Sequence, residues 1–291
     1  MKNLKRLFSI IMVLTLVVAL AACGGGNQQG DQSKDQAKTE TSDGSLQRVK
    51  DAGKLTIGCE GNWIPYVYNE NGTGELTGFE VEIAKEIASR LGVKAEFNVA
   101  SQWDGVIAGL DAKRYDTVIC GTNPNPERQE KYYMTIPYAE SPIALVVASD
   151  NKDITKFEDL KGKLAANSLS SSSGEIARKY GAELSDCNLT QAMDLLVTHR
   201  ADAHVNNLTS ILEYLKTKPD TAVTVAAIYK PENSYEIESS AMFRKEDVEL
   251  GKAVDKVIQE MIDDGTCYNL AVKYFGQQVA DETTIYQQAN K

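Results

Sequence analysis

From Lys54 to Cys120 the chain alternates short apolar runs with longer stretches of helical period, and this alternation limits the fold more than any single residue does. Lys54-Leu55-Thr56-Ile57-Gly58 reads as a strand. Across residues 79–91, Ile83, Ile87 and Leu91 recur at the spacing of one helix face, and Gly92 stands where a helix C-cap glycine belongs. Residues 94–99 read as the next strand. Ser101-x-x-Asp104 predicts a capped helix that turns Val106, Ile107 and Leu110 inward, and residues 116–120 form a third strand. A β-α-β-α-β order implies a parallel sheet covered by helices.

A second set of elements begins after Pro142. The pattern predicts strands at 143–147, 164–167 and 201–205, with a short helix started by Thr155-x-x-Glu158 between the first two. Ser172 with Glu175 predicts the cap of a helix over 174–180, and residues 188–199 read as a further helix. Over 248–262, Leu250, Val254, Val257, Ile258, Met261 and Ile262 share one helical face, stopped by Asp264-Gly265. Asn71-Gly72 and Gly74 mark a turn in the first set. The whole reads as two α/β lobes with no repeat of sequence between them.

The N-terminal end has a different character. Lys2, Lys5 and Arg6 precede a nearly unbroken apolar run that ends Leu20-Ala21-Ala22-Cys23. That is the layout of a secretory signal over residues 1–22, too short for a comfortable membrane span. Cys23 after Leu-Ala-Ala resembles a bacterial lipobox, whose cysteine becomes lipidated. Residues 23–43 carry almost no large apolar side chain and read as a disordered tether. The expected location is therefore the outer face of a bacterial cell membrane, anchored through lipid.

Formal net charge is −10, and removing the basic leader makes the rest more acidic, which argues against nucleic acid or anionic lipid as a partner. Beyond Cys23, the four cysteines (Cys59, Cys120, Cys187 and Cys267) and two histidines show no metal-ligand spacing. No metal or cofactor is expected. A disulfide among those cysteines is left open.

Residues 122–129, Thr-Asn-Pro-Asn-Pro-Glu-Arg-Gln, follow the apolar run Thr117-Val118-Ile119-Cys120-Gly121 with a stiff polar corner. Asn125 before Pro126 is an N-cap before a first-turn proline, so a helix should start here with unpaired N–H groups that favour an anion. Arg128 adds a planar fork suited to a carboxylate.

The order of landmarks along the chain carries a resemblance. Trp63-Ile64-Pro65-Tyr66 precedes Leu76-Thr77-Gly78-Phe79-Glu80-Val81-Glu82-Ile83-Ala84, then Arg90-Leu91-Gly92-Val93, Gln102-Trp103-Asp104-Gly105 and Arg114-Tyr115-Asp116. Asn125-Pro126-Glu127-Arg128-Gln129, Leu160-Lys161-Gly162, Arg200-Ala201-Asp202-Ala203 and Lys273-Tyr274-Phe275-Gly276 complete the series. Together they resemble solute-binding protein family 3, the binding proteins of polar amino-acid ABC transporters.

The resemblance implies a type II periplasmic-binding-protein-like α/β fold: two lobes, two hinge strands and a ligand cleft between. Lobe 1 would be 44–140 plus 233–291, and lobe 2 would be 141–232. It implies a monomer without a cofactor that delivers a free amino acid to a membrane permease. Arg128 would take the ligand's α-carboxylate, with Gly121 and Asn123 beside it. Trp63 and Trp103 would flank the ligand side chain, Ser171 and Ser172 would face it from lobe 2, and Glu60 would meet its ammonium or far end. Asn207 stands where the family places an ammonium-binding aspartate, a departure that points to a less common ligand. The segments around Trp103, Ser172 and Tyr274 look closest to the cystine-binding subgroup, with basic amino acids second. A ligand sensor or a dehydratase-like enzyme on the same fold are the other classes; no Ser/His/Asp triad, phosphate loop or paired carboxylates are visible in the sequence.

Overall fold

The computed structural model describes residues 42–70 and 74–289, with side chains to residue 287. The signal (1–22), Cys23, most of the tether and the Asn71-Gly72 half of the turn lie outside the described residues. Ser42 and Asp43, at the end of the expected tether, are held in place: Ser42 Oγ donates to Glu249, and Asp43 accepts the backbone N–H of Ser45 and of Glu249.

The expected parallel core is present. Strands Lys94–Ala100, Lys54–Glu60 and Thr117–Thr122 lie side by side, with Ile57 level with Phe97 on one side and Thr117 on the other. Leu55, Ile57, Val118 and Ile119 are buried among the helices Phe79–Arg90, Trp103–Asp111 and Val248–Asp263. A fourth strand, Glu238–Arg244, returns from far along the chain to pair antiparallel with Thr117–Thr122, and Tyr132–Met134 closes that edge.

The second lobe is built differently. Ile143–Ala148 is the centre of an antiparallel sheet between His204–Asn207 and Val223–Ile228, and Leu164–Ala166 pairs parallel with Glu183–Ser185. The strand expected at 201–205 starts at His204; before it, Ala203 makes only an isolated parallel bridge to Ala165. Two apolar clusters fill this lobe, one around Leu145 and Phe157, the other around Val146, Met193 and Ile211.

Two connections cross between the lobes side by side. Ala139 is level with Ser239, Ser141 N–H donates to the carbonyl of Ile237 at 2.8 Å, and Tyr229 N–H to that of Ile143 at 2.8 Å. Paired extended segments of this kind bend easily at their ends while staying in register, which suits opening and closing of one lobe on the other.

Three capping expectations are corrected. The short helix after Thr155 is the 3-10 turn Phe157–Leu160 with Lys156 as its N-cap, and Asp159 rather than Glu158 accepts from Thr155. The helix Trp103–Asp111 has Gln102 as its N-cap with no side-chain cap, so Ser101 and Asp104 form no capping box. In lobe 2 the N-cap is Ser171, whose Oγ accepts Gly174 N–H, and the helix starts at Ser172. That frees Asp104, Ser172 and Glu175 to reach across to the opposite lobe.

Candidate functional site

The polar corner forms as its residue types dictate. Asn125 Oδ1 accepts the Arg128 N–H at 2.8 Å, and Pro126 opens the helix Pro126–Lys131. This cap fixes the Arg128 backbone and sends its side chain inward, where it is only 7% exposed. Nη1 donates to Ser172 Oγ at 2.6 Å and to the Asn123 carbonyl at 3.2 Å; Nη2 donates to the Ser170 carbonyl at 2.8 Å. The guanidinium carbon lies 5.6 Å from the Trp103 ring centre. All the oxygens it binds are neutral. Burial pulls its pKa down, opposed by Glu175 and Glu127, yet a guanidinium stays charged. A buried cation with no carboxylate hydrogen-bonded to it is costly.

All nine residues singled out in the sequence line a single cavity between the lobes. Glu60, Trp63, Trp103, Gly121, Asn123 and Arg128 line one wall, and Ser171, Ser172 and Asn207 the other. Their roles in that wall differ. Trp63 stacks on the fully buried Tyr66 with ring centres 4.3 Å apart and planes 16° from parallel. Gly121 has φ +60°, and a Cβ built there would overlap the Trp63 ring, so only glycine lets the two approach. The Gly121 amide is committed to Glu80 at 2.7 Å, and the Asn123 side-chain amide to the carbonyls of Tyr235 and Glu238. Those two positions therefore shape the wall and hold the corner. Asn207 starts the helix Leu208–Thr217 without capping it, which leaves its side chain beside the Tyr66 hydroxyl.

The lobes meet through polar contacts. Asp104 accepts from both the N–H and the hydroxyl of Ser170, Trp103 Nε1 donates to the Ser170 carbonyl at 3.2 Å, and Asn125 Nδ2 donates to Glu175 at 2.6 Å. The Tyr66 hydroxyl touches Thr209 Oγ1 at 2.6 Å and Ser141 Oγ at 2.7 Å. These bonds join the lobes in a closed arrangement.

Several cleft features escaped the sequence. Glu60, Asp104 and Asp186 gather at one corner: burial pushes the Glu60 pKa up to about 7, with Asp104 and then Asp186 adding to it, and Asp186 is raised by burial and Asp104. Such a corner favours a cation. His204 also lines the cavity. Its Nδ1–H donates to the Ala166 carbonyl at 2.5 Å, so Nε2 accepts from Asn206, and burial lowers its pKa to about 4. It is a neutral structural histidine. Cys59, Cys120, Cys187 and Cys267 are buried free thiols, and among the described residues no cluster of three or more His, Cys, Asp or Glu fits a metal ion.

Residues 55–277 match the bacterial extracellular solute-binding proteins, family 3. The chain belongs to this family. The L-cystine-binding protein TcyA of Bacillus subtilis (strain 168) is 37% identical over 279 residues, covering 95% of this chain and 99% of the relative. Among solved structures, an ancestral arginine-binding protein bound to arginine superposes with a TM-score of 0.69 at 32% identity, over 77% of this chain and 99% of that one. The L-cystine solute receptor of Neisseria gonorrhoeae, in its unliganded open conformation, gives a TM-score of 0.52 at 34% identity, over 81% and 98%. The two-lobed fold with a cleft between its lobes is thus that of the family's amino-acid-binding members.

Proposed function

We propose that this chain captures a free amino acid in the interlobe cleft and delivers it to the membrane permease of an ABC importer, with cystine or another sulfur amino acid as the favoured ligand. The observation that carries the reading is Arg128, a buried guanidinium at the cavity wall whose partners are all neutral oxygens. A ligand α-carboxylate would replace neutral acceptors with a bidentate anion, and the gain is largest where water is excluded. Ser172 would swing its hydroxyl to the same carboxylate. Trp63 and Trp103 would enclose the side chain, a broad polarizable surface suited to sulfur. Asn207 would accept from the α-ammonium without supplying charge.

The acidic corner at Glu60 would receive a distal cation: the second ammonium of cystine, the side-chain ammonium of lysine or the guanidinium of arginine. That corner is also what keeps basic amino acids as the second reading. Residues 44–140 and 233–291 make one lobe in this reading and 141–232 the other, a division that the separate apolar clusters support. In this reading Cys23 bears the lipid after removal of residues 1–22, and the monomer works from the outer face of the membrane.

Competition calorimetry with L-cystine, L-methionine, L-arginine and L-lysine tests the ligand class: tight arginine or lysine binding with no response to cystine or methionine sinks the sulfur assignment. The same instrument tests the acidic corner. A distal ammonium beside Glu60 would lower the carboxyl's pKa from about 7, so binding releases a proton. Affinity for L-cystine should then rise as pH rises from 5 through 7. Glu60→Gln should flatten that rise and weaken binding about 10- to 100-fold near neutrality, the loss of one charge-assisted bond. Equal affinity and an equal pH profile in parent and variant would remove Glu60 from the site.

A further inference from the structure

Glu80 lies in the first turn of the helix Phe79–Arg90 and is 1% exposed. It does not line the ligand cavity; it stands behind it. One carboxyl oxygen accepts the Gly121 N–H at 2.7 Å, and the other accepts the Tyr138 hydroxyl at 2.8 Å. The titratable groups that face it are Tyr138, Tyr66, Cys59 and Cys120, none of them cationic. An acid buried without a cation is a poor stabiliser: an apolar side chain of similar volume would fill the space without desolvating a carboxyl. What the acid returns is acceptance of two donors that would otherwise go unpaired.

One donor lies at the cleft wall and the other beside the crossing strands. Gly121 abuts Trp63 and begins the segment that carries Asn123 and Arg128 into the cleft. Tyr138 sits at the foot of the crossing strands, where its N–H donates to the Ser239 carbonyl at 2.9 Å and its own carbonyl accepts the Tyr286 hydroxyl at 2.8 Å. We propose that Glu80 is a positioning residue for ligand capture: it grips the Gly121 amide from behind and the Tyr138 hydroxyl beside the hinge, and so keeps the arginine-bearing segment in step with lobe closure. The inference rests on the reading of the cleft as an amino-acid site. Burial pushes the Glu80 pKa up to about 7, so near neutrality glutamine is a close mimic, able to accept from Gly121 and donate to Tyr138.

The test uses Glu80→Gln, Glu80→Leu and Tyr138→Phe, with L-cystine calorimetry and, independently of any ligand, hydrogen exchange at the Gly121 amide. Glu80→Gln should keep Kd within about threefold of the parent. Glu80→Leu should raise Kd at least about tenfold, speed Gly121 exchange and lower the melting temperature, because two donors lose their acceptor, whereas Glu80→Gln should do none of these. Tyr138→Phe, which leaves the Gly121 bond intact, should weaken binding about threefold or more and serves if the leucine variant does not fold. Glu80→Leu or, failing that, Tyr138→Phe with parental Kd overturns the proposal, as does a glutamine variant as weak as leucine. If the parent takes up no L-cystine, L-arginine replaces it as probe. If neither binds, the reading of the cleft has failed, and unchanged Gly121 exchange in Glu80→Leu (in Glu80→Gln, faster exchange) overturns the role of Glu80 by itself.

Discussion

Replacing Arg128 by alanine is expected to weaken amino-acid binding by about 10²–10⁴, two charge-assisted hydrogen bonds at roughly 1.5–3 kcal/mol each, most of it as faster release. The same change should leave the ligand-free protein as stable as the parent or slightly more so, because it removes a buried cation held only by neutral oxygens. That opposite sign separates a binding residue from a structural one. Arg128→Lys should recover little, since an ammonium lacks the planar fork. Calorimetry for binding and thermal melting for stability read the two effects; an alanine variant that binds like the parent would reduce the corner to a turn.

Gly121→Ala should be the most damaging single methyl in the cleft. The position has φ +60°, and its Cβ would overlap the Trp63 ring, which is itself stacked on Tyr66. Either the backbone moves and surrenders the Glu80 bond, or Trp63 leaves its stack. Left-handed strain and overpacking each cost about 1–3 kcal/mol. The variant should lose about that much stability, bind its ligand at least about tenfold more weakly, and show an altered near-ultraviolet circular dichroism from the displaced indole. A melt and a Kd unchanged from the parent would show that the glycine is incidental.

What the sequence made legible is local or periodic. The parallel strands at Lys54, Lys94 and Thr117 follow from alternating periods, and Asn125-Pro126 announces its helix because cap and proline act within one turn. The landmark series brought nine residues to one cavity. What it hid depends on distant partners. Asp104 looks like a helix-capping residue until Ser170 is seen across the cleft, and Glu175 looks like half of a capping box until Asn125 takes it. The acidic corner joins Glu60, Asp104 and Asp186 from three separate segments, so no spacing betrays it. The strand Glu238–Arg244 completes a sheet more than a hundred residues upstream, and its apolar-rich run of Ala, Met and Phe gave no alternation to count. The helix Leu208–Thr217 follows its strand with no glycine or proline between them to mark the change.

A thermal-shift screen of the lipid-free protein against the common L-amino acids and L-cystine asks whether the cleft closes on a free amino acid gripped by Arg128. A ligand at a hundredfold excess over its Kd adds about 2.7 kcal/mol, or roughly 5–10 °C for a chain of this size. At least one amino acid, L-cystine first, should give such a shift, and the same ligand should give none in Arg128→Ala. A parent protein whose melting temperature no amino acid moves, or an alanine variant that shifts as far as the parent, would contradict it.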